Sequence, residues 1–351
     1  MNGALGKGVV ERVNGIKRQN VSDSESSTEV EVVIGKEHLH ANGVFSNVYR
    51  AVLYSPVKQN IAIKKVWPNK AAPDAAQREI ELLSKMKHEN VISLLYKFKI
   101  GGGNDVCQCL VLDYLPVDLA KLRLSLPGRK FDRLDAKLYS FQMFAGVDHI
   151  NSKGVTHCDL KPANLIVDPK LGILKIADFG SALITHKNQK LESYQVTRYY
   201  RAPELVFGTT NFDVYVDRWS CGCILAELIM GKPLLAGKDR IDQGRVIIEL
   251  LGYPDSEALK AMKVSRPRLS RKSARGVKMM TAGYDMPPEV EDILQKILVY
   301  SPNRRMLPSQ VISHSYYNEL RTIPPPIREN GREIPPLNYW IIEDKTQSDR
   351  A

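Results

Sequence analysis

The sequence predicts an α+β protein of two lobes, a small β-rich N-lobe followed by a larger, mainly helical C-lobe. Three observations carry this. From Val30 to Leu112 the apolar residues fall in short runs of strand length: Val30–Ile34, Asn47–Tyr54, Ile61–Val66, Val91–Ile100 and Val106–Leu112. From Leu134 onward the spacing turns helical, with Leu134, Leu138, Phe141 and Ala145 on one face. The chain, at 351 residues, also has room for two cores. The expected divisions are a disordered tail over 1–29, the N-lobe over 30–112, a hinge and C-lobe over 113–321, and a C-terminal tail over 322–351. That last segment is expected to pack on the lobe or extend beyond it.

Taken in order, the first 29 residues are polar and poor in aromatics, ending in Ser22-Asp23-Ser24-Glu25-Ser26-Ser27-Thr28. They read as disordered, with a phosphorylation cluster as the alternative. The stretch His40 to Val48 reads as the turn joining the first two strands. Pro73-Asp74 opens a helix with Ala76, Ile80 and Leu83 on one face. Gly101-Gly102-Gly103-Asn104-Asp105 turns the chain between two strands, and Asp113-Tyr114-Leu115-Pro116 leaves the strand-rich region. Gly154 ends the helix that carries Leu134. Leu165–Val167 and Leu174–Ile176 flank Asp168-Pro169-Lys170-Leu171-Gly172, which reads as a hairpin. Asp217-Arg218-Trp219 opens a helix to Met230 that is apolar on nearly all sides, the pattern of a buried axis.

Composition narrows the classes. No apolar stretch is long enough to cross a bilayer, since the most apolar helix is interrupted at Glu227. The N-terminus reads as neither a signal peptide nor a myristoylation site. Five cysteines lack zinc-ligand spacing; Cys107 and Cys109 share a strand, and Cys221 and Cys223 an apolar helix, so core thiols in a reducing compartment are expected. Lys+Arg 50 against Asp+Glu 39 gives a net charge of +11. No nucleic-acid module accompanies that charge, so it reads as a solvated basic surface, without nucleic-acid or membrane partners. The run Arg266, Arg268, Arg271, Lys272, Arg275 and Lys278 reads the same way, with a nuclear-localisation or nucleic-acid patch as the alternative.

The chemistry concentrates at His157-Cys158-Asp159-Leu160-Lys161-Pro162-Ala163-Asn164 and at Asp178-Phe179-Gly180. Phosphoryl transfer from ATP needs a carboxylate to orient the attacking hydroxyl, a cation beside the moving phosphate, and oxygen ligands for Mg2+. Asp159 offers the base, Lys161 the cation, Asn164 and Asp178 the metal ligands.

Together these motifs resemble the protein kinase signature, with Cys158 where the family carries arginine. The resemblance implies ATP and Mg2+ as cofactors and protein substrates as partners. Ile61-Ala62-Ile63-Lys64 matches the strand of the ATP-binding lysine, and Glu79 is preferred over Glu81 as its ion-pair partner. The glycine-rich loop falls on Ala41, Asn42, Gly43, Val44, Phe45 and Ser46, where only Gly43 of the glycines remains; Val48 and Ala62 would line the adenine. Asp113 and Leu115 would offer backbone groups to adenine. Arg305 matches the arginine that pairs with Glu204 of Ala202-Pro203-Glu204. Tyr194, Tyr199 to Glu204, Val111 to Tyr114, Asp178 to Ala182, His314 to Arg321 and Asn330-Gly331-Arg332 are similar to glycogen synthase kinase-3 (shaggy), of the group with cyclin-dependent and mitogen-activated kinases. That likeness covers roughly 30–340 and is poor over 253–286, the region of the family's scaffold-protein groove. It implies an intracellular serine/threonine kinase, cytoplasmic and also nuclear, in Wnt-type signalling and cell differentiation. Tyr194 would be an activating phosphotyrosine. Of the three cations that hold a priming phosphate, the matching positions are Arg78, Cys158 and Leu183, with Arg198 and Arg201 as substitutes. A pseudokinase or weakly active nucleotide-binding scaffold stays open beside the active enzyme, on the strength of Ala41, Ser46 and Cys158.

Overall fold

A computed structural model of the chain describes residues 11–13, 16–24, 28–43, 46–69, 74–102, 106–184 and 198–338. The chain divides into two compact units, Met1–Leu115 with Asp178–Ser181, and Pro116–Ala177 with Ala182–Ala351.

The first unit is an antiparallel sheet of β1 (Glu11–Val13), β2 (Ile16–Asp23), β3 (Glu29–Ile34), β4 (His38–Asn42), β5 (Ser46–Ser55), β6 (Gln59–Val66), β7 (Leu94–Ile100) and β8 (Cys107–Asp113), together with the helix α1 (Ala75–Lys85). The strand order is β1-β2-β3-β5-β6-β8-β7, with β4 beside β5. β2 also pairs with β7, Ser22 opposite Lys97 and Asp23 opposite Tyr96, so the path returns on itself and closes a barrel. Val21, Val32, Ile34, Leu53, Ile61, Ile63, Phe98 and Val111 fill it.

Two expectations fail here. Residues 1–29 are not wholly a disordered tail, because β1 and β2 lie within them. The inward positions of β2 are Lys17, Gln19 and Val21, all buried, and only one is apolar, so alternation was invisible in the sequence. Contacts distant in sequence make Lys17 tolerable: it forms an ion pair with Glu37 and lies 5.3 Å from the centre of the Phe98 ring. Lys17 and Lys65 in turn hold the Glu37 carboxyl below its usual range against the cost of its burial. The second failure is the turn over His40–Val48, most of which belongs to β4 and β5, with Ala41 opposite Val48 and Asn42 opposite Asn47. The strand expected from Val91 starts at Leu94, and the first unit runs past Leu112 to Leu115.

The second unit contains β9 (Val117–Asp118), α2 (Leu119–Ser125), α3 (Arg133–Ser152), β10 (Val155–Thr156), β11 (Leu165–Asp168), β12 (Ile173–Ile176), β13 (Leu183–Ile184), α4 (Pro203–Val206), α5 (Tyr215–Met230), α6 (Arg240–Leu251), α7 (Ser256–Met262), α8 (Gly276–Met280), α9 (Pro288–Ile297) and α10 (Pro308–Ile312). Asp118, Asp132, Asp239 and Asp255 start α2, α3, α6 and α7, each side chain accepting a backbone N–H of the first turn. The hairpin forms as expected, Leu165 opposite Ile176 through Asp168 opposite Ile173. α5 is buried on almost every side and stops at Gly231, whose φ of 74° suits a residue without Cβ. Gly222 lets α9 approach it: a Cβ there would stand 2.7 Å from Ile297 Cγ2. After Arg321 the chain stays on this unit, since buried Arg328 donates to both Asp135 carboxylate oxygens and to the Tyr139 hydroxyl.

All five cysteines are buried free thiols, and burial pushes every one of them above the ordinary thiol range. A raised value leaves less thiolate at any given pH, and the thiolate is the reactive form. The native protein at neutral pH is therefore expected to leave Ellman's reagent almost uncoloured, and to release all five equivalents once unfolded in guanidinium. A fast-reacting native thiol would contradict this packing.

Candidate active site

In the first unit the site is built on β6. Ile61 and Ile63 point into the barrel and are fully buried, so Ala62 and Lys64 take the opposite face. Across the ladders Lys64 lies opposite Val48 and Leu110, and Ala62 opposite Arg50 and Leu112. Val48, Ala62 and Lys64 thus share one face, which is where the sequence put the adenine and phosphates. Lys64 Nζ donates to both Glu79 oxygens, at 2.7 and 2.8 Å, and to Asp178 Oδ1 at 2.8 Å. Burial works against the Lys64 charge, yet the two carboxylates hold its ammonium above the ordinary lysine value. Burial pushes the Glu79 carboxyl up, with Lys64 opposing. Glu81 is exposed and takes a hydrogen bond from Gln77 instead.

Asp178 sits at φ 65°, a left-handed backbone that aspartate tolerates better than most residues. Gly180 closes the approach to it. A Cβ there would lie 3.3 Å from Asp178 Oδ1 and 3.8 Å from both Glu79 Oε2 and Lys64 Nζ. Gly43 donates its N–H to Ser46 O at 2.8 Å, tying the ends of the short loop whose Val44 and Phe45 lie outside the described residues. The Asp113 N–H donates to Ser93 O, and its side chain accepts from the Ser93 N–H. Leu115 is buried, and Arg78 on α1 is half-buried.

In the second unit the loop from His157 to Asn164 is held from below. Buried Asp217, in the first turn of α5, accepts the N–H groups of His157 at 2.8 Å and Cys158 at 3.1 Å, and the Asn151 amide at 3.1 Å. This fixes Cys158 at φ 67°, a conformation costing a non-glycine residue about 1–2 kcal/mol. His157 accepts the Asp159 N–H at Nδ1 (3.3 Å), so its proton sits on Nε2 and is donated to Ala177 O at 3.0 Å. Ala177 N–H in turn donates to Asn164 O at 2.9 Å. The sequence places His157 in the motif and Asp217 at a helix start, but assigns neither this bracing role. The signal for Asp217 was present, an acid in a helix that is apolar on nearly all sides, which must find buried donors.

Asp159 Oδ2 accepts from Lys161 Nζ at 2.7 Å and from Asn164 Nδ2 at 3.1 Å. Its Oδ1 is buried and has no protein partner among the described residues. A buried carboxylate oxygen left without a donor is costly, and a hydroxyl brought to it would supply one. Asn164 also donates to Asp159 O at 2.8 Å, which turns its amide oxygen away from the loop as an oxygen ligand. Among the described residues no cluster of His, Cys, Asp and Glu forms a metal cage by itself. Asn164 in the second unit and Asp178 in the first each carry an oxygen of the kind Mg2+ takes from protein, where one or two such ligands suffice. Arg198 donates to the carbonyls of Gly237 and Lys238. Burial and the neighbouring cations Arg240 and Arg198 hold Arg201 below the usual arginine value, with Asp159 opposing. Tyr194 lies outside the described residues.

Residues 36–317 match the protein kinase domain family. The chain is also 41% identical over 323 residues to a Caenorhabditis elegans protein carrying the name serine/threonine-protein kinase gskl-1, with 91% of this chain and 88% of that protein covered. A lysine–glutamate pair on a strand and helix, a metal-competent aspartate before Phe-Gly, and a braced Asp-x-Lys loop are what such a domain requires, and the chain belongs to the protein kinase family of transferases.

Proposed function

We propose that this chain is an active serine/threonine kinase of the glycogen synthase kinase-3 branch, working in cytoplasmic and nuclear signalling during cell differentiation. The observation that carries activity is the unpartnered Asp159 Oδ1, set on a loop whose geometry is fixed by Asp217. In this reading Asp159 accepts the proton of a substrate serine or threonine hydroxyl, and Lys161 steadies the transferring phosphate. Lys64, kept cationic and aimed by Glu79, positions the ATP phosphates; Ala62 and Val48 cover adenine, and Asp113 and Leu115 offer backbone groups to it. Asn164 and Asp178 would each offer an oxygen to Mg2+, which when bound would supply positive charge to the phosphates. Tyr194 is the proposed activating phosphotyrosine. The relative's name and the Asp-x-Lys order support the serine/threonine assignment. The rival reading, a nucleotide-binding scaffold that transfers little phosphate, draws on Ala41 and Ser46 in the loop around Gly43. Incubation with radiolabelled ATP and a serine/threonine peptide library decides between them, and absence of incorporation would overturn the enzyme.

Substrate choice should depart from the branch. Of its three phosphate-holding cations, Arg78 survives here, whereas Cys158 is buried with its thiol against Thr156 O, and Leu183 is apolar. Arg198, already engaged on two carbonyls, replaces little of what is missing. A charged hydrogen bond is worth about 1.5–3 kcal/mol, so two lost bonds weaken primed binding by roughly a hundredfold or more. The kcat/KM ratio for matched peptides with and without the priming phosphate is expected near unity, and to rise in Cys158→Arg with Leu183→Lys. A strong preference for the primed peptide in the native enzyme would refute this.

A further inference from the structure

Residues 263–284 contain no acidic side chain, and within them Arg266, Arg268, Arg271, Lys272, Arg275 and Lys278 are all exposed. The segment is not a loose strand of charge. The Tyr253 hydroxyl donates to Pro267 O at 2.8 Å, the Tyr253 N–H to Lys272 O at 3.1 Å, and the Arg275 N–H to Glu249 O at 2.9 Å. Leu269 is seated on α6 where only glycine fits, since a Cβ on Gly244 would stand 2.8 Å from Leu269 Cδ1. Gly252, at φ 79°, would bring a Cβ within 3.2 Å of Ala274 N. The backbone is therefore anchored at several points, and the cations project from a fixed ridge. Arg275 is paired with Glu249 at 2.7 Å, and Arg271 lies over the Tyr253 ring at 5.3 Å. Arg266, Arg268, Lys272 and Lys278 have no carboxylate partner among the described residues.

From this arrangement we infer that the ridge is a docking surface for an acidic peptide, a run of aspartate and glutamate in a partner protein. Four of the six cations are arginine, whose planar fork suits carboxylates in pairs. A backbone already ordered loses little loop freedom on binding. Nucleic acid fits less well, because single strands want open aromatic faces for stacking. The nearby rings are engaged: Tyr253 by Arg271, and Tyr284 by Lys130 at 5.6 Å and Lys232 at 5.1 Å. This surface takes no part in phosphoryl transfer, so its role stands apart from the catalytic reading.

The test is fluorescence anisotropy of a labelled oligo-glutamate peptide with the full chain. Arg266→Glu with Arg268→Glu and Lys272→Glu should weaken binding about tenfold or more, and the matching glutamine triple by less, with added salt weakening the native complex. These side chains are exposed and carry no fold contact, so the thermal midpoint should not move; if it does, the glutamine triple alone decides. Equal binding by native and both substituted chains would overturn the proposal. So would equal binding of a neutral serine–glycine peptide, or tighter binding of single-stranded RNA or anionic phospholipid vesicles than of the peptide.

Discussion

Asp159→Asn is expected to lower kcat/KM for peptide phosphorylation by about 10²–10⁴-fold, the usual worth of a positioned acid–base group. The amide keeps the size of the carboxylate but takes no proton from a hydroxyl, and it removes the counter-charge of Lys161, 2.7 Å away. The fold should survive. The backbone of the loop hangs on Asp217, which accepts from His157 and Cys158, and not on the Asp159 side chain. An unaltered thermal midpoint with lost transfer of label from ATP is the expected pair of results. Transfer at the native rate would remove Asp159 from the chemistry.

Arg305→Ala should be the most damaging single change to stability. Arg305 and Glu204 form a bidentate pair at 2.7 and 2.6 Å, and both are almost wholly buried. The guanidinium also donates to the carbonyls of Tyr215 and Val299 and lies 5.3 Å from the Trp219 ring centre. Removing it strands a buried carboxylate, and breaking one side of such a pair costs about 3–5 kcal/mol. For a unit of this size that is a fall in Tm of roughly 6–20 °C. Arg305→Met with Glu204→Gln should recover part of the loss, because no charge is then left unpaired. Calorimetry on the three chains checks both statements, and a midpoint unchanged in Arg305→Ala would show that the pair bears no stability.

The sequence was most legible where local pattern and chemistry agreed. Ile61-Ala62-Ile63-Lys64 states its own alternation, and Lys64 does leave the barrel on the face opposite Ile61 and Ile63. The hairpin over 165–176 was equally plain, with a turn-forming run between two apolar ones. Glu79 was separable from Glu81 only through resemblance, since helical spacing alone does not say which glutamate meets a lysine on another strand. The misses share one cause. Lys17 and Gln19 are buried polar residues that look like solvent-facing ones, and Lys17 is accounted for only once Glu37 and Phe98 are brought beside it. Asp217 is likewise defined by donors sixty positions away. Partners distant along the chain leave no periodic trace.

The barrel closure through β2 bears on how this chain reaches its folded state. The pairing of Ser22 with Lys97 joins residues far apart in sequence, so it carries a large loop-closure cost and belongs late in folding. Until it forms, β2 and β7 present unsatisfied edges, and open edges recruit strands from other chains. A chain trimmed to the matched span 36–317 would lack β2 and β3 altogether and leave their neighbours β5 and β7 permanently uncovered. Such a fragment would aggregate rather than fold, although it retains every residue placed at the active site.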